Sequence, residues 1–263
     1  QEQEGVADSV DRMVADQVKA GRGVADEPLL RHIATNAGAA LQMCIDAGSE
    51  FHPYLQQLGG HSVPRTYQTT VSCGAGITQP LLKACRELGV VTRNRCEFSG
   101  FIQEEDGRVA GVAINTRYYY DRGLSEGVAM NVRATRGVLV ATGGFSQNIK
   151  LRMAQDPTLT DDVTSTNAPG ATGEAMLEMF RLGAVPVHLA YIQSGPWASP
   201  DEGGFGYVSN YSIFNFPHSM AVNRATGRRF MNEIADRKTR ADAELANRDA
   251  EGRPMPPLLV TSY

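Results

Sequence analysis

The stretch RGVLVATGGF, residues 136–145, is the most apolar run of the chain and ends in two consecutive glycines, Gly143 and Gly144. A continuous apolar run is typical of a parallel strand that is buried on both faces. We therefore expect residues 136–142 to form the central strand of an α/β fold. Glycines after such a strand let backbone N–H groups approach a bound phosphate or ring, because no Cβ intervenes. A tight turn between a strand and a helix explains the pair equally well.

On both sides of this run, the spacing of apolar residues predicts further helices and strands. Helices are predicted as a pair between Asp8 and Gly48, then over residues 77–88 and 174–182. A long loop is expected over residues 52–76, and loops of this length in compact domains are usually functional. Strands are predicted over residues 90–92, 97–104, 108–116, 129–134 and 185–193, with Glu105-Asp106-Gly107 as a hairpin turn.

Composition excludes several classes of protein. The 263 residues carry 25 Lys and Arg against 29 Asp and Glu, a net charge of −4, and 42% of them are hydrophobic. These values are those of a globular chain, and without a basic tract they argue against a nucleic-acid ligand. No apolar run is long enough for a membrane span, and the four cysteines form no CxxC pair that would indicate a metal site. The chain starts without Met and ends in an apolar run, so we expect a fragment.

Six motifs occur in an informative order. They are GGHSVPRT, CRELGV, VLVATGGF, TNAPGATGEAM, LGAVPVHLAYIQ and GRRFMNEIADR, with a β-hairpin between the second and the third. This series resembles the flavoprotein family of fumarate reductases, succinate dehydrogenase flavoprotein subunits and urocanate reductase. The resemblance implies part of an α/β FAD-binding domain, glutathione-reductase-like, over residues 1–190, followed by the start of an α+β capping domain over 191–263. The FAD-binding domain would be incomplete, since the G-x-G-x-x-G strand that cradles the pyrophosphate is absent from the sequence. The capping domain would be incomplete because only its opening part is expected in these residues.

The resemblance also assigns cofactor contacts. Thr142 would close the central strand, and Gly143 and Gly144 would lie against the FAD. Glu174, in TGEA, stands where the family has the Asp of TGDG. The remaining expected contacts are Phe98 at the adenine end and Arg65 and Thr66 along the isoalloxazine ring.

One arginine is expected to be catalytic. In the family, a stretch resembling RFMNEIADR carries the arginine that gives a proton to one substrate carbon while the flavin gives a hydride to the other, which here is Arg237. Hydride addition builds carbanion character that a positioned acid must quench. A solvated helix face would also explain the arginines of this region, and Arg240 is the alternative donor.

Two departures from the family concern the substrate. Gly195 falls where members that reduce dicarboxylates have a carboxylate-binding His, and YSIFN, which begins with Tyr211 and Ser212, replaces their Thr-Glu-x-x-Arg pattern. With Trp197 and Tyr207 this wall would be aromatic and neutral. Because a second buried carboxylate would lack a charge partner, we expect a larger unsaturated acid or enone with a ring-bearing tail rather than fumarate.

The sequence thus predicts an FAD-dependent oxidoreductase that reduces the C=C bond of an α,β-unsaturated acid or enone. Electrons would come from a separate donor, of which a haem, FMN or quinol module are the options. A 3-ketosteroid dehydrogenase-like flavoenzyme and a non-catalytic folded fragment without FAD are the alternatives. The sequence leaves the compartment open between bacterial cytoplasm and cell envelope.

Overall fold

The computed structural model describes residues 5–71, 73–196, 218–253 and 255–261, and the chain divides into two compact units. The first unit combines Gln1–Val91 with Gln193–Tyr263, and the second is Thr92–Ile192. The assignment of residues 1–190 to an FAD-binding domain and of 191–263 to a cap stays a prediction. The two units are defined by contacts within the chain, which do not show which unit binds FAD.

The described elements form a mixed α/β arrangement, in which three helices are followed by five strands, two helices and then a strand, a helix and a strand. The helices are α1 (Val10–Ala20), α2 (Glu27–Asp46), α3 (Ala75–Glu87), α4 (Ile149–Gln155), α5 (Glu174–Arg181) and α6 (Arg237–Ala246). The strands are β1 (Cys96–Gln103), β2 (Val109–Thr116), β3 (Tyr118–Tyr119), β4 (Leu124–Ser125), β5 (Ala129–Arg133), β6 (Ser219–Val222) and β7 (Leu258–Thr261).

Side-chain caps set the beginnings of the helices in the first unit. Ser9 caps α1 by accepting a hydrogen bond from the Arg12 N–H, and Asp26 caps α2 in the same way for Leu29. Such caps satisfy backbone donors that have no partner inside the helix. Helix α2 ends at Asp46 with Ala47 as its C-cap, just before Gly48, where the sequence predicts its end. In this unit β6 and β7 pair as an antiparallel ribbon.

The second unit is built on an antiparallel sheet in the order β1-β2-β5. The β1–β2 hairpin turns at Glu105-Asp106-Gly107, as predicted, because Gly107 adopts a φ of 84° and the Asp106 carboxylate accepts the Arg108 N–H at 2.9 Å. Among the strands that the structure describes, β3 pairs with β4 alone, as a second small ribbon. The strands predicted over residues 97–104, 108–116 and 129–134 are confirmed within two residues at their ends.

Three expected strands are wrong. Residues 136–142, 185–193 and 90–92 are irregular, and the side chain of Leu139 is 92% exposed. A strand exists only through its hydrogen-bonded neighbours, and among the described strands none pairs with these segments. The apolar side chains of these segments favour burial, but they do not specify which strand would pair with them. Thr142 therefore does not close a central strand in this structure.

None of the helices described is long and apolar enough to cross a membrane.

Candidate active site

A cavity of about 600 Å³ lies in the first unit, between α1, α2, the loop around Gly59 and the start of α6. Three residues expected from the sequence line it, namely Arg65, Thr66 and Arg237, together with the alternative donor Arg240. The structure thus brings the expected flavin-loop arginine and the expected catalytic arginine to one cavity, although 171 positions separate Arg65 from Arg237 in the sequence.

Two helix faces form one side of this cavity. From α1 the lining residues are Val10, Met13, Asp16, Gln17 and Ala20, which recur at the spacing of one helical face. Helix α2 contributes the small residues Ala34, Ala37 and Gly38. Asp16 is the charged residue of this face of α1, in a position where periodicity alone would predict an apolar side chain.

Arg65 forms a buried ion triad with two carboxylates. Its Nε and Nη2 donate to the two carboxylate oxygens of Asp8, each at 3.0 Å, and its Nη1 donates to Asp16 Oδ2 at 2.7 Å. The side chains of Arg65 and Asp8 are 7% and 6% exposed. Since two negative charges offset one positive charge, Arg65 brings no net positive charge to the cavity. Its predicted contact with the flavin ring stays a prediction.

The triad also shifts the titration of its members. Burial alone would raise the pKa of Asp16, but hydrogen bonds from the Ser62 N–H and hydroxyl and from Arg65 outweigh it, so this pKa lies below its ordinary value. The pKa of Arg65 is raised, because the hydrogen bonds to Asp8 and Asp16 outweigh the effect of burial.

Arg237 is the first residue of α6, and the cap of that helix fixes its place. Asp236 accepts hydrogen bonds from the Thr239 N–H at 3.1 Å and from the Thr239 hydroxyl at 2.6 Å. Arg237 donates to the Gln193 amide oxygen at 3.4 Å. Burial lowers the pKa of Arg237, which moves this guanidinium toward acting as an acid.

The segment before α6 is held by a buried carboxylate. Glu233 is 3% exposed, accepts the Ala221 N–H at 2.7 Å and pairs with the Arg229 guanidinium. The backbone carbonyl of Glu233 in turn accepts a hydrogen bond from the buried Arg240 at 3.4 Å. This set of contacts connects β6 to the helix that carries Arg237.

Glu244 is a second acidic group of α6, one turn after Arg240. Its Oε1 is buried and has no hydrogen-bond partner among the described residues. Burial raises the pKa of Glu244 to about 8, against an opposing effect of Arg240. Glu244 is therefore largely protonated at neutral pH.

The glycine turn lies in the second unit. Thr142, Gly143 and Gly144 are exposed, and a Cβ added at either glycine would meet no atom within 4 Å. The backbone of the turn is thus open to a ligand that lies against it. This openness fits the contact expected with FAD.

A second loop packs against this turn and supports it. Gly173 has a φ of 78°, and a Cβ there would lie 2.8 Å from the Cβ of Phe145, so only glycine allows this approach. The Gln147 N–H donates to the Ala171 carbonyl at 2.9 Å. Glu174 is the first residue of α5, is exposed and accepts a hydrogen bond from the Thr172 hydroxyl. ATGGF and TGEA, distant in sequence, are therefore neighbours.

Arg152 of α4 fixes the chain that follows the turn. It is 5% exposed, and its guanidinium donates to the carbonyls of Ser146 at 3.1 Å, Leu159 at 3.0 Å and Thr160 at 2.5 Å. Burial lowers the pKa of Arg152, against an opposing effect of Asp161.

The remaining expected residues lie elsewhere. Phe98 is inside β1, opposite Ile114, and its ring packs against Phe101 with 4.9 Å between centroids. Gly195 is exposed and is not among the described residues that line the cavity, whereas Gln193 is. The expected substrate wall lies outside the described residues, and its members are Trp197, Tyr207, Tyr211 and Ser212. In the described ranges no cluster of His, Cys, Asp or Glu could hold a metal ion.

Several site residues were not identified from the sequence. Asp8, Asp16 and His61 line the cavity, and Glu244 interacts electrostatically with the lining residue Arg240. Asp8, Asp16 and Glu244 match no motif, and His61 lies within GGHSVPRT without an expected role. For Asp16 the available signal was a charge on a helix face whose other lining residues are uncharged. For the others no local pattern indicates the contact.

Known proteins resemble this chain along its whole length. A family model described as "FAD binding domain" matches residues 1–262. The acrylate reductase flavoprotein subunit of Shewanella woodyi is 73% identical over 263 residues, which are 100% of this chain and 52% of that protein. Urocanate reductase of Eggerthella lenta is 30% identical over 256 residues, 96% of this chain and 40% of that protein.

A solved structure agrees with these matches. The open conformation of a flavocytochrome c3 fumarate reductase matches with a TM-score of 0.73 at 27% identity, over 93% of this chain and 41% of that one. The chain thus spans about half the length of the most similar of these relatives. The similarity confirms the α/β fold that the motif series predicts.

Proposed function

The chain belongs to the FAD-binding domain family, whose cofactor is FAD, and from this premise we propose that the complete protein reduces the C=C bond of a short α,β-unsaturated monocarboxylate of the acrylate class. The observation that carries this proposal is the 73% identity with an acrylate reductase flavoprotein subunit over the entire chain.

The charge argument from the sequence supports a monocarboxylate. Gly195 and the YSIFN stretch remove the partners of a second carboxylate, and this loss suits any acid with a single carboxylate. The argument does not fix the size of the tail. We therefore favour the short acid, and the ring-bearing acid or enone becomes its competitor, ahead of a 3-ketosteroid dehydrogenase-like activity.

In this proposal, the glycine turn at Gly143 and Gly144 holds FAD through its backbone, and Thr142 and Glu174 adjoin that contact. When bound and reduced, FAD supplies a hydride for the β-carbon of the substrate. The expected contacts of Phe98, Arg65 and Thr66 with the cofactor remain part of the proposal.

Arg237 gives the proton to the α-carbon. As the π bond breaks, the guanidinium proton would form the new C–H bond at the α-carbon, and the hydride supplied by bound, reduced FAD would account for the one at the β-carbon, so that acrylate would become propionate. Two features support an arginine in this role. Burial lowers its pKa, and its place at the first position of α6 puts its positive charge at the positive end of the helix dipole. Solvent then returns the proton to Arg237.

Each turnover requires two electrons from outside the substrate. We infer that a separate electron-donating partner supplies them, with haem, FMN and quinol modules as the candidate classes. Co-purification of the complete protein from its source, followed by absorption spectroscopy of the bound partner, tests this. A haem or flavin spectrum in the partner identifies the class, and a complex without any redox centre contradicts the inference.

Substrate competition tests the main proposal. The complete FAD-loaded protein is assayed with reduced methyl viologen against acrylate, fumarate, urocanate and a cinnamate-type acid. We expect kcat/KM to be highest for acrylate, and fumarate to be at least about tenfold poorer because its second carboxylate lacks a partner. A preference for fumarate contradicts the proposal, and a preference for cinnamate or urocanate supports the ring-bearing competitor.

A further inference from the structure

The motif GGHSVPRT begins with two glycines, Gly59 and Gly60, which no expected cofactor or substrate contact explains. Both lie in the loop that joins α2 to α3, and both line the cavity that also contains Arg237. Gly60 has a φ of 87°, a backbone conformation that favours glycine. Gly59 is not in that region, so its lack of a side chain needs another explanation.

Gly59 lies directly against the segment that precedes α6. An added Cβ at this position would come within 2.5 Å of the Ala235 carbonyl oxygen and 3.1 Å of Arg240 Nη2. Real Cβ atoms essentially never come closer than 3.0 Å to such a neighbour, and the nearer atom here belongs to the backbone. The absence of a side chain at Gly59 is therefore what allows this approach.

Gly60 lies against the next residue of the same segment. An added Cβ at Gly60 would be 3.3 Å from the Cβ of Asp236, the residue whose carboxylate caps α6. The two glycines thus contact two consecutive residues, Ala235 and Asp236, which come immediately before Arg237. The start of α6 rests on loop backbone rather than on side chains.

The loop is held on its other side by α1. The N–H and the hydroxyl of Ser62 both donate to Asp16 Oδ2, each at 2.9 Å. A turn is closed between the two contacts, because the His61 N–H donates to the Leu58 carbonyl at 3.1 Å. The loop therefore has an anchor that does not depend on α6.

We propose that Gly59 and Gly60 position the proton donor Arg237 by supporting the residues before it, and so set the distance from its guanidinium to the substrate carbon. This inference rests on the proposed function and adds positioning residues to it. A Cβ at Gly59 would push the Ala235 carbonyl from 2.5 to at least 3.0 Å, and the start of α6 would move by about half an ångström. Misplacement by about 1 Å can cost about 10²-fold in rate.

Turnover of the two alanine variants is the first measurement. The complete FAD-loaded protein is assayed with acrylate and reduced methyl viologen, and kcat is expressed per bound flavin. We expect Gly59→Ala to lower kcat by about 10–100-fold with FAD still bound. Gly60→Ala should lower it less, by roughly two- to tenfold, because its contact of 3.3 Å requires a smaller shift.

Gly111→Ala is the matched control for lost stability. Gly111 lies in β2 of the second unit, where an added Cβ would also meet a backbone carbonyl, that of Val132. It is not among the described residues that line the cavity. Gly111→Ala should therefore lower the temperature of thermal unfolding, as Gly59→Ala does, and keep the wild-type kcat per bound flavin.

A double-mutant cycle separates positioning from a merely structural role. Arg237→Lys removes the planar group that the loop is proposed to aim. Adding Gly59→Ala to Arg237→Lys should then lower kcat by less than about threefold, whereas two independent effects would multiply.

Hydrogen exchange gives a measurement that does not depend on turnover. The backbone N–H groups of Thr239 and Arg240 donate to the side chain and to the carbonyl of Asp236, each at 3.1 Å. If the loop supports Asp236, both amides should exchange with deuterium faster in Gly59→Ala and in Gly60→Ala than in the wild type. Gly111→Ala should leave their exchange unchanged.

Three results overturn the inference. They are a Gly60→Ala protein with wild-type kcat, effects of Gly59→Ala and Arg237→Lys that multiply, and unchanged exchange at the start of α6. Gly60→Ala adds only the strain of one left-handed residue, so it decides the question even if Gly59→Ala does not fold. Failure of the proposed function looks different, because then the wild type does not reduce acrylate while the exchange at the start of α6 still responds to both glycine variants.

Discussion

The cavity of the first unit and the glycine turn of the second are constructed in opposite ways. The cavity depends on charged side chains held by long-range ion pairs, such as Arg65 with Asp8 and Asp16. The turn instead exposes its backbone to a ligand, because a Cβ added at either of its two glycines would meet no other atom within 4 Å. Backbone hydrogen bonds hold the segments next to it. A change of charge should therefore disturb the cavity, and a change of volume should disturb the turn.

The largest effect is expected at Arg237. Arg237→Lys keeps a charge but loses the planar fork that aims the donor, and Arg237→Ala loses both, so turnover should fall by about 10²–10⁴-fold while FAD stays bound. Steady-state rates and flavin content of the complete protein measure this. The matched control is Arg228→Lys, an exposed arginine outside the cavity lining, which should keep wild-type turnover.

An Arg237→Ala protein that keeps more than about a tenth of wild-type turnover would contradict the assignment, since loss of a general acid costs more than that. Arg240 would then be tested next.

The buried triad predicts the next largest effect. Asp16→Asn removes one of two charge partners of Arg65 and should lower the free energy of unfolding by about 1–3 kcal/mol at pH 7. The folded-state pKa of Asp16 is depressed, so this stabilisation is present above the unfolded pKa and disappears as the pH falls through the folded one. Denaturant unfolding of wild type and variant at pH 7 and in acid should show the difference shrinking.

The control is Asp242, which pairs with Arg22 at 3.5 Å and with Lys238. The side chains of Arg22, Asp242 and Lys238 are 63%, 40% and 35% exposed. Asp242→Asn should change stability by no more than about 0.5 kcal/mol. Equal effects of the two substitutions would show that burial of the triad does not matter.

Gly144→Ala tests the turn through volume alone. Its φ is not in the left-handed range and an added Cβ meets nothing within 4 Å, so the fold should be unaffected. If FAD lies against this backbone, the methyl group should weaken its affinity by about tenfold or more. Fluorescence titration of the apoprotein with FAD measures this. Gly137→Ala is equally open and should bind FAD like the wild type, and two equal affinities would remove Gly144 from the cofactor site.

The last prediction concerns a change of stability with pH, which is expected from Glu244→Gln. The folded-state pKa of Glu244, about 8, lies above its unfolded value, so the folded protein binds a proton that the unfolded chain has released, and stability falls as the pH rises between the two. The variant cannot ionise, and its stability relative to wild type should grow by up to about 1.4 kcal/mol per pH unit from pH 5.5 to 8. Thermal unfolding across this range measures it. The exposed Glu87→Gln should show a constant difference, and a constant difference for Glu244→Gln would place its carboxylate in water.

The helices and the antiparallel hairpin could be predicted because their causes are local. Periodic apolar residues, capping side chains such as Asp26 and the Asp106-Gly107 turn act within a few positions of the chain. The run at residues 136–142 failed for the opposite reason. Its burial as a strand depends on neighbours in space, and the sequence of the run contains no information about them.

The candidate site divides in the same way. Gly143, Gly144, Arg65 and Arg237 were found through motifs, and the structure gathers the two arginines at one cavity. The partners that neutralise Arg65 were not predicted, because an ion triad is a tertiary contact between Asp8, Asp16 and a loop about fifty residues away. His61 and Glu244 differ from ordinary surface residues only in what surrounds them.

Arg152 has a consequence for how the loop after the glycine turn opens. Residues 156–165 contain no helix or strand, and a protease would ordinarily cut such a segment through brief local fluctuations. The carbonyls of Leu159 and Thr160 in this segment, and that of Ser146, all accept hydrogen bonds from the guanidinium of Arg152. We therefore expect these three hydrogen bonds to break together. Cleavage should then follow the opening of α4 as a unit, and backbone amides of this irregular segment should exchange with deuterium as slowly as those of the helix.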